Sequence, residues 1–198
     1  MNLDPAHAKA ALRRELREDL RRMTPVEAAG ESGRLCERLL AQPAWRDARC
    51  VLLYMPLPGE PDVRPALRAA LDAGKTVALP RREAATDSYG AAVVADPERD
   101  LVPGAFGVPE PGPECPGLAL NRLDFVLVPG LGFTLDGGRI GRGKGYYDRL
   151  LSAVPGFRCG VAFEGQVLAA LPLEPHDARL DCILTPTRWH LTGARARS

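Results

Sequence analysis

The chain has 198 residues, 45% of them hydrophobic and 26% charged, with a formal net charge of +1; these are the values of one ordinary globular domain with a sizeable core. So small a net charge gives no field for steering toward nucleic acid or a membrane surface, so neither partner is expected, although a local basic pocket stays open. The charged N-terminal segment has no apolar signal core and no apolar run approaches eighteen residues, so a cytoplasmic protein is expected.

In chain order, Asp4 is placed to cap a helix whose first residue is Pro5, and Ala8, Leu12, Leu16 and Leu20 recur every fourth position behind it. Thr24-Pro25-Val26-Glu27 is a capping-box start for a second helix, anchored by Leu35, Leu39 and Leu40. Together these predict a helical hairpin over residues 1–42 packed on the α/β body of the chain. From Cys50 the pattern changes: "CVLLYM" is a continuous apolar run of the kind a parallel strand shows when both its faces are covered. A helix opened by Asp62 and closed by Gly74 leads to the strand "TVALP", completing one strand–helix–strand unit. Further strands are expected around Ala92, from Asp124 ("DFVLVP"), from Arg158 ("RCGVAF") and from Asp181 ("DCILT"), with helices near Gly145 and Val167 between them.

The five cysteines are scattered without a C-x-x-C pair, which suggests neither a disulfide framework nor a zinc site. The stretch Pro103 to Gly117 holds five prolines and four glycines; it is excluded from helices and central strands and reads as a surface connection or a binding loop. The pattern as a whole predicts a single α/β domain over residues 1–198: a three-layer, Rossmann-like open sheet, mostly parallel, with helices on both faces and frayed residues at 194–198. Nothing advertises an interface, and a monomer is expected.

The chemistry concentrates in "GGRIGRGKGYYDRL", residues 137–150. It nearly matches the phosphate-loop pattern G-x-x-x-x-G-K-[ST], but Gly145 stands where a hydroxyl would hold magnesium. Asp136-Gly137 is a type I′ turn signal, predicting a small hairpin of Phe133–Leu135 with Gly138–Ile140. Gly141, Gly143 and Gly145 then alternate with Arg142 and Lys144, so the backbone can approach an anion closely while two cations add charge. A helix starting near Tyr146 would add its positive end. Asp148 comes within one turn, where it would serve either as a first-turn acid or as a ligand to magnesium on a polyphosphate.

"PGLGFTLDGGRIGRGKGYYDRLL" resembles the signature of the 5-formyltetrahydrofolate cyclo-ligase family. "KAALRREL" from Lys9, "YMPLPGEPDV" from Tyr54, "FGVPEPGP" from Phe106 and "PHDARLDCILT" from Pro175 resemble other family segments in family order. The resemblance implies ring closure of 5-formyltetrahydrofolate to 5,10-methenyltetrahydrofolate, with ATP as co-substrate and Mg2+ as metal. It implies an ATP site of Lys9, Arg13, Arg139, Ile140, Gly141, Arg142, Gly143, Lys144, Gly145, Tyr146 and Tyr147, with Arg142 and Lys144 acting catalytically on the charge that grows during transfer. It implies that Met55, Glu60, Phe106 and Tyr147 face the folate, and that Asp148 and Asp177 hold the metal. His176 reads as a surface residue. Two other readings stay open: a small-molecule kinase on a similar sheet, which has no use for the Glu60 and proline-loop elements together, and a nucleotide- or phosphosugar-sensing module with the same anion cradle.

Overall fold

The computed structural model describes residues 5–84, 86, 88–104, 107–174 and 177–193. The predicted Asp4 cap, Phe106, His176 and the tail from residue 194 lie outside the described residues. Helices α1 (Pro5–Arg22), α2 (Pro25–Leu40) and α3 (Pro43–Asp47) precede strand β1 (Cys50–Leu52), helix α4 (Arg64–Asp72), and strands β2 (Thr76–Glu83) and β3 (Ser88–Val93). Helix α5 (Pro97–Asp100) leads to β4 (Leu101–Pro103), β5 (Pro109–Pro111), β6 (Gly117–Leu118), β7 (Phe125–Val128), β8 (Gly132–Thr134) and β9 (Arg139–Ile140). Helix α6 (Tyr146–Ser152) is followed by β10 (Phe157–Val161), β11 (Val167–Leu168), β12 (Cys182–Leu184) and β13 (Trp189–Leu191).

The main sheet has the order β13-β12-β10-β7-β1-β2-β3-β6. Its five inner strands, β12 to β2, are parallel; β13 at one edge and β3 toward the other run antiparallel to them, and β6 closes that second edge antiparallel to β3. The predicted strand around Ala92 is therefore present, but it runs back along β2 instead of following a crossover. The apolar runs account for the centre. Alternate residues of β1 and β7 point into two separate cores, so a strand covered on both faces must be apolar throughout. Val51, Phe125, Leu127 and Val161 face a core closed by Leu35, Leu39, Trp45 and Leu67 from α2, α3 and α4. Leu52, Val126, Val128 and Ile183 face the other core, closed by Leu150 and Leu151 of α6. All five cysteines are free and buried.

The capping box predicted at Thr24 is formed: the Glu27 amide donates to Thr24 Oγ1 at 3.3 Å and the Thr24 amide to Glu27 Oε2 at 2.9 Å. The two opening helices, joined by a short turn, serve different surfaces. Helix α2 enters the main core, whereas Leu12, Leu16 and Leu20 of α1 pack on Leu131, Ile140 and Leu168. Those three belong to a small second sheet, of order β11-β8-β9, and its margin. The proline-rich stretch carries short strands after all, but only as an antiparallel ribbon of β4 with β5 and as the edge strand β6, positions where a missing amide is tolerated.

The predicted hairpin is present: β8 pairs antiparallel with β9, Phe133 opposite Arg139. Gly137 in its turn takes φ 91°, and a Cβ there would lie 2.5 Å from the carbonyl oxygen of Leu180. Both the left-handed backbone and the clash with main chain oppose any side chain. Gly137→Ala is expected to cost about 2 kcal/mol and to lower Tm by roughly 4–8 °C. A thermal melt with unchanged Tm would contradict this origin of the turn.

Candidate active site

Strand β2 follows β1 on one side of the sheet, while β7 returns to the other side of β1. Such a switch point opens a crevice beyond the carboxyl ends of the strands. A cavity of about 640 Å³ lies there, reached by Tyr54 and Met55 after β1, Leu79 and Pro80 of β2, and Pro129 and Gly130 after β7. Every described residue expected from the sequence to form the site lines this one cavity: Lys9, Arg13, Met55, Glu60, the run from Arg139 to Asp148, and Asp177.

The glycine-rich loop between β9 and α6 is shaped by its own backbone and by α1. Gly143 and Gly145 have φ of 103° and 66°, conformations that ordinary residues rarely adopt. Its carbonyls are held from α1, where positions four apart share a face. Arg13 Nε donates to the Gly141 carbonyl at 3.0 Å, and Arg17 Nη2 to the Arg142 carbonyl at 3.2 Å. One turn earlier on the same face, Lys9 Nζ donates to Glu174 Oε2 at 2.6 Å and Asp177 Oδ2 at 2.8 Å. Lys9 is only 8% exposed. Burial opposes its charge, but the bonds to Asp177 and Glu174 prevail and hold its pKa above the ordinary value.

Across the cavity, Arg142 Nε donates to Glu60 Oε1 at 3.0 Å, and the Leu57 amide donates to Glu60 Oε2 at 3.0 Å. The Glu60 side chain is 5% exposed. Burial pushes its pKa up, and the Leu57 amide and Arg142 only partly offset that. Arg139 is turned inward, unlike Arg142. It is buried, donates from Nη1 to the Pro129 carbonyl at 3.3 Å and from Nη2 to Asp148 Oδ1 at 2.9 Å, and sits over the Tyr147 ring at 5.6 Å. Its Nε has no hydrogen-bond partner among the described residues. Burial also pushes the Tyr147 hydroxyl well above its ordinary pKa, so the phenol stays protonated.

Among the described residues no group of three or more histidine, cysteine or acidic side chains would hold a metal ion unaided. The donor set instead suits a hard ion that arrives with phosphate oxygens and takes one or two carboxylates. Asp148 accepts from Arg139 through one carboxylate oxygen and lines the cavity, while Asp177 approaches from the segment after β11.

Sequence reasoning missed four contributors. Glu174 shares Lys9 with Asp177. Tyr89 and the buried Glu110 line the cavity from β3 and β5. Gln166, 1% exposed, donates to the carbonyls of Gly130 and Leu131 at 2.9 and 3.2 Å and accepts from the Phe163 amide at 2.8 Å, which fixes the turn after β7. Glu110 alone left a trace in the sequence, as an acid between two prolines; the others reach the site only through tertiary contacts.

The sequence model of the 5-formyltetrahydrofolate cyclo-ligase family matches residues 5–186. The mouse 5-formyltetrahydrofolate cyclo-ligase is 27% identical over 188 residues, covering 89% of this chain and 93% of its own. The enzyme of that name from Mycolicibacterium smegmatis is 34% identical over 147 residues, covering 71% and 75%. The NMR structure of Aquifex aeolicus 5,10-methenyltetrahydrofolate synthetase superposes with a TM-score of 0.85 at 33% identity, over 93% of this chain and 92% of that one. A synthetase of the same name from Mycoplasma pneumoniae, 21% identical with a TM-score of 0.71, shares the fold. With the family match spanning nearly the whole chain and the signature loop lining the switch-point cavity, the protein is an enzyme that belongs to the 5-formyltetrahydrofolate cyclo-ligase family.

Proposed function

We propose that the protein uses ATP and magnesium to close 5-formyltetrahydrofolate to 5,10-methenyltetrahydrofolate, as a cytoplasmic monomer. The observation that carries this reading is the joining of Glu60 to Arg142 within a single cavity, which couples the wall expected to meet folate to the loop expected to meet phosphate. A kinase or a sensing module has no evident use for that coupling.

The chemistry asks for alignment and charge stabilisation, not for a side-chain nucleophile. The formyl oxygen attacks the γ-phosphorus of ATP and ADP leaves, giving an imidate-like phosphate. N10 then attacks the activated carbon and gives up its proton to solvent, and inorganic phosphate departs with the former formyl oxygen. Lys144, exposed at the loop, and Arg142 would neutralise the equatorial oxygens during transfer. Lys9 and Arg13 would hold the nucleotide phosphates from α1. Magnesium, when bound between Asp148, Asp177 and the phosphate oxygens, would draw off charge from the transferring group. Glu60 would accept N–H donors of the pterin, with Met55 and Tyr147 against the ring system.

The direct test mixes the purified protein with 5-formyltetrahydrofolate, ATP and magnesium and follows the methenyl chromophore in the near ultraviolet. The expected outcome is a chromophore that requires ATP; none at all, or one formed equally well without ATP, would sink the proposal. Lys144→Ala is expected to lower kcat by roughly 100-fold, the scale for removing one transition-state charge contact. Asp148→Asn should raise the magnesium needed for half-maximal rate about ten-fold, and an unchanged titration would remove Asp148 from the metal site. Because burial raises the Glu60 pKa above its ordinary 4.5, the ionised form that binds folate is present above the raised value and lost as pH falls through it. Folate affinity should therefore show an acid limb lying above pH 4.5 that Glu60→Gln abolishes; a limb that persists in that variant would assign it to another group.

A further inference from the structure

The cavity has two chemically different ends. Toward α1 and the small sheet it is lined by Lys9, Arg13, Arg142 and Lys144, with Glu174 and Asp177 beside them. Toward the β2–β3 side it is lined by Leu79, Pro80, Tyr89, Val108 and Pro109, with Leu150 and Tyr146 from α6. On the cyclo-ligase reading, the first end would be taken by the triphosphate. The second is apolar and aromatic, and among the described residues that line it the one charged group is the buried carboxylate of Glu110.

That carboxylate is committed to positioning. Its Oε1 accepts from the Tyr89 hydroxyl at 3.2 Å and its Oε2 from the Arg82 amide at 2.9 Å. The first bond fixes the Tyr89 ring against Tyr146, edge to face, with centroids 4.9 Å apart and planes 66° apart. Arg149 lies over the Tyr146 ring at 5.2 Å and steadies it from the helix. Burial, and after it the Glu110 charge, push the Tyr89 phenol up to about 12, so it remains a hydrogen-bond donor to Glu110 at any working pH. Two rings fixed by a hydrogen bond, a cation and each other form a rigid aromatic wall, which a flat ligand meets at little ordering cost.

Resting on the cyclo-ligase reading, we infer that Tyr89, held by Glu110 and packed on Tyr146, is a specificity-determining wall for the planar ring system of the folate. It would act on folate binding more than on the nucleotide, because Tyr89 belongs to β3, whereas Lys9 and Arg13 reach the cavity from α1 and Arg142 and Lys144 from the loop after β9; Tyr146, expected at the nucleotide, would be shared by its backbone and its ring.

The test measures the affinity of the full chain for 5-formyltetrahydrofolate and, separately, for ATP with magnesium, in the unaltered protein and in the variants Tyr89→Leu and Tyr89→Phe. Leucine keeps apolar bulk for packing but removes the ring; phenylalanine keeps the ring and loses only the hydroxyl. Tyr89→Leu is expected to weaken folate binding about ten-fold, with ATP affinity within about two-fold, and Tyr89→Phe to restore most of the loss. Unchanged folate affinity in Tyr89→Leu, or a parallel loss of ATP affinity, would overturn the inference while leaving the cyclo-ligase reading in place. An unaltered protein that binds ATP but not 5-formyltetrahydrofolate overturns both.

Discussion

The site depends on two guanidinium-to-carbonyl bonds. The loop that carries the glycines has little regular backbone pairing of its own, since β9 ends at Ile140 and α6 begins at Tyr146. Arg13 and Arg17 of α1 supply partners for the carbonyls of Gly141 and Arg142. A loop rich in glycine loses much conformational entropy on ordering, so its fixed shape has to be held from outside. The helix that holds it is itself held by apolar contact of Leu12, Leu16 and Leu20 on the small sheet. The sequence of dependence therefore runs from the hairpin turn at Gly137, through the sheet it closes and the helix seated there, to the loop.

Three of the cations that line the cavity are held by carboxylates before any ligand arrives. Lys9 is paired with Glu174 and Asp177, Arg139 with Asp148, and Arg142 with Glu60. An unpaired buried charge is costly, so pairing lets the chain keep cations inside a crevice before any anion arrives. On the proposed reading, an incoming triphosphate with its metal would exchange these partners, the cations turning to phosphate oxygens and Asp148 and Asp177 to the metal. The same pairs also give the cavity its division. The cationic end lies by α1, the aromatic end by β3, and the Glu60–Arg142 bond stands between the loop after β1 and the glycine loop.

Elements dictated by local physics were legible in the sequence. Continuous apolar runs marked β1, β7, β10 and β12 because both faces of a central parallel strand are covered. Thr24 with Glu27 marked a helix start, and Asp136-Gly137 marked a hairpin turn, because each motif satisfies its own backbone. The antiparallel course of β3 and the three-residue edge strand β13 were not legible, since pairing direction is set by neighbours distant in the chain. The same limit applies in the site. The glycine loop could be recognised from its spacing, but Lys9 with Glu174 joins residues 165 apart and Arg13 with Gly141 joins residues 128 apart. The inward turn of Arg139 and the wall at Tyr89 likewise arise from packing that spacing does not encode.

The central claim is that this cavity activates the formyl group by phosphorylating its oxygen, with cations and carboxylates but no side-chain nucleophile. The most direct measurement supplies 5-formyltetrahydrofolate labelled with heavy oxygen in the formyl group and follows the label through one round of ATP-dependent closure. The label is expected to appear in inorganic phosphate in step with the methenyl product. Label released to water, with unlabelled phosphate, would contradict the claim.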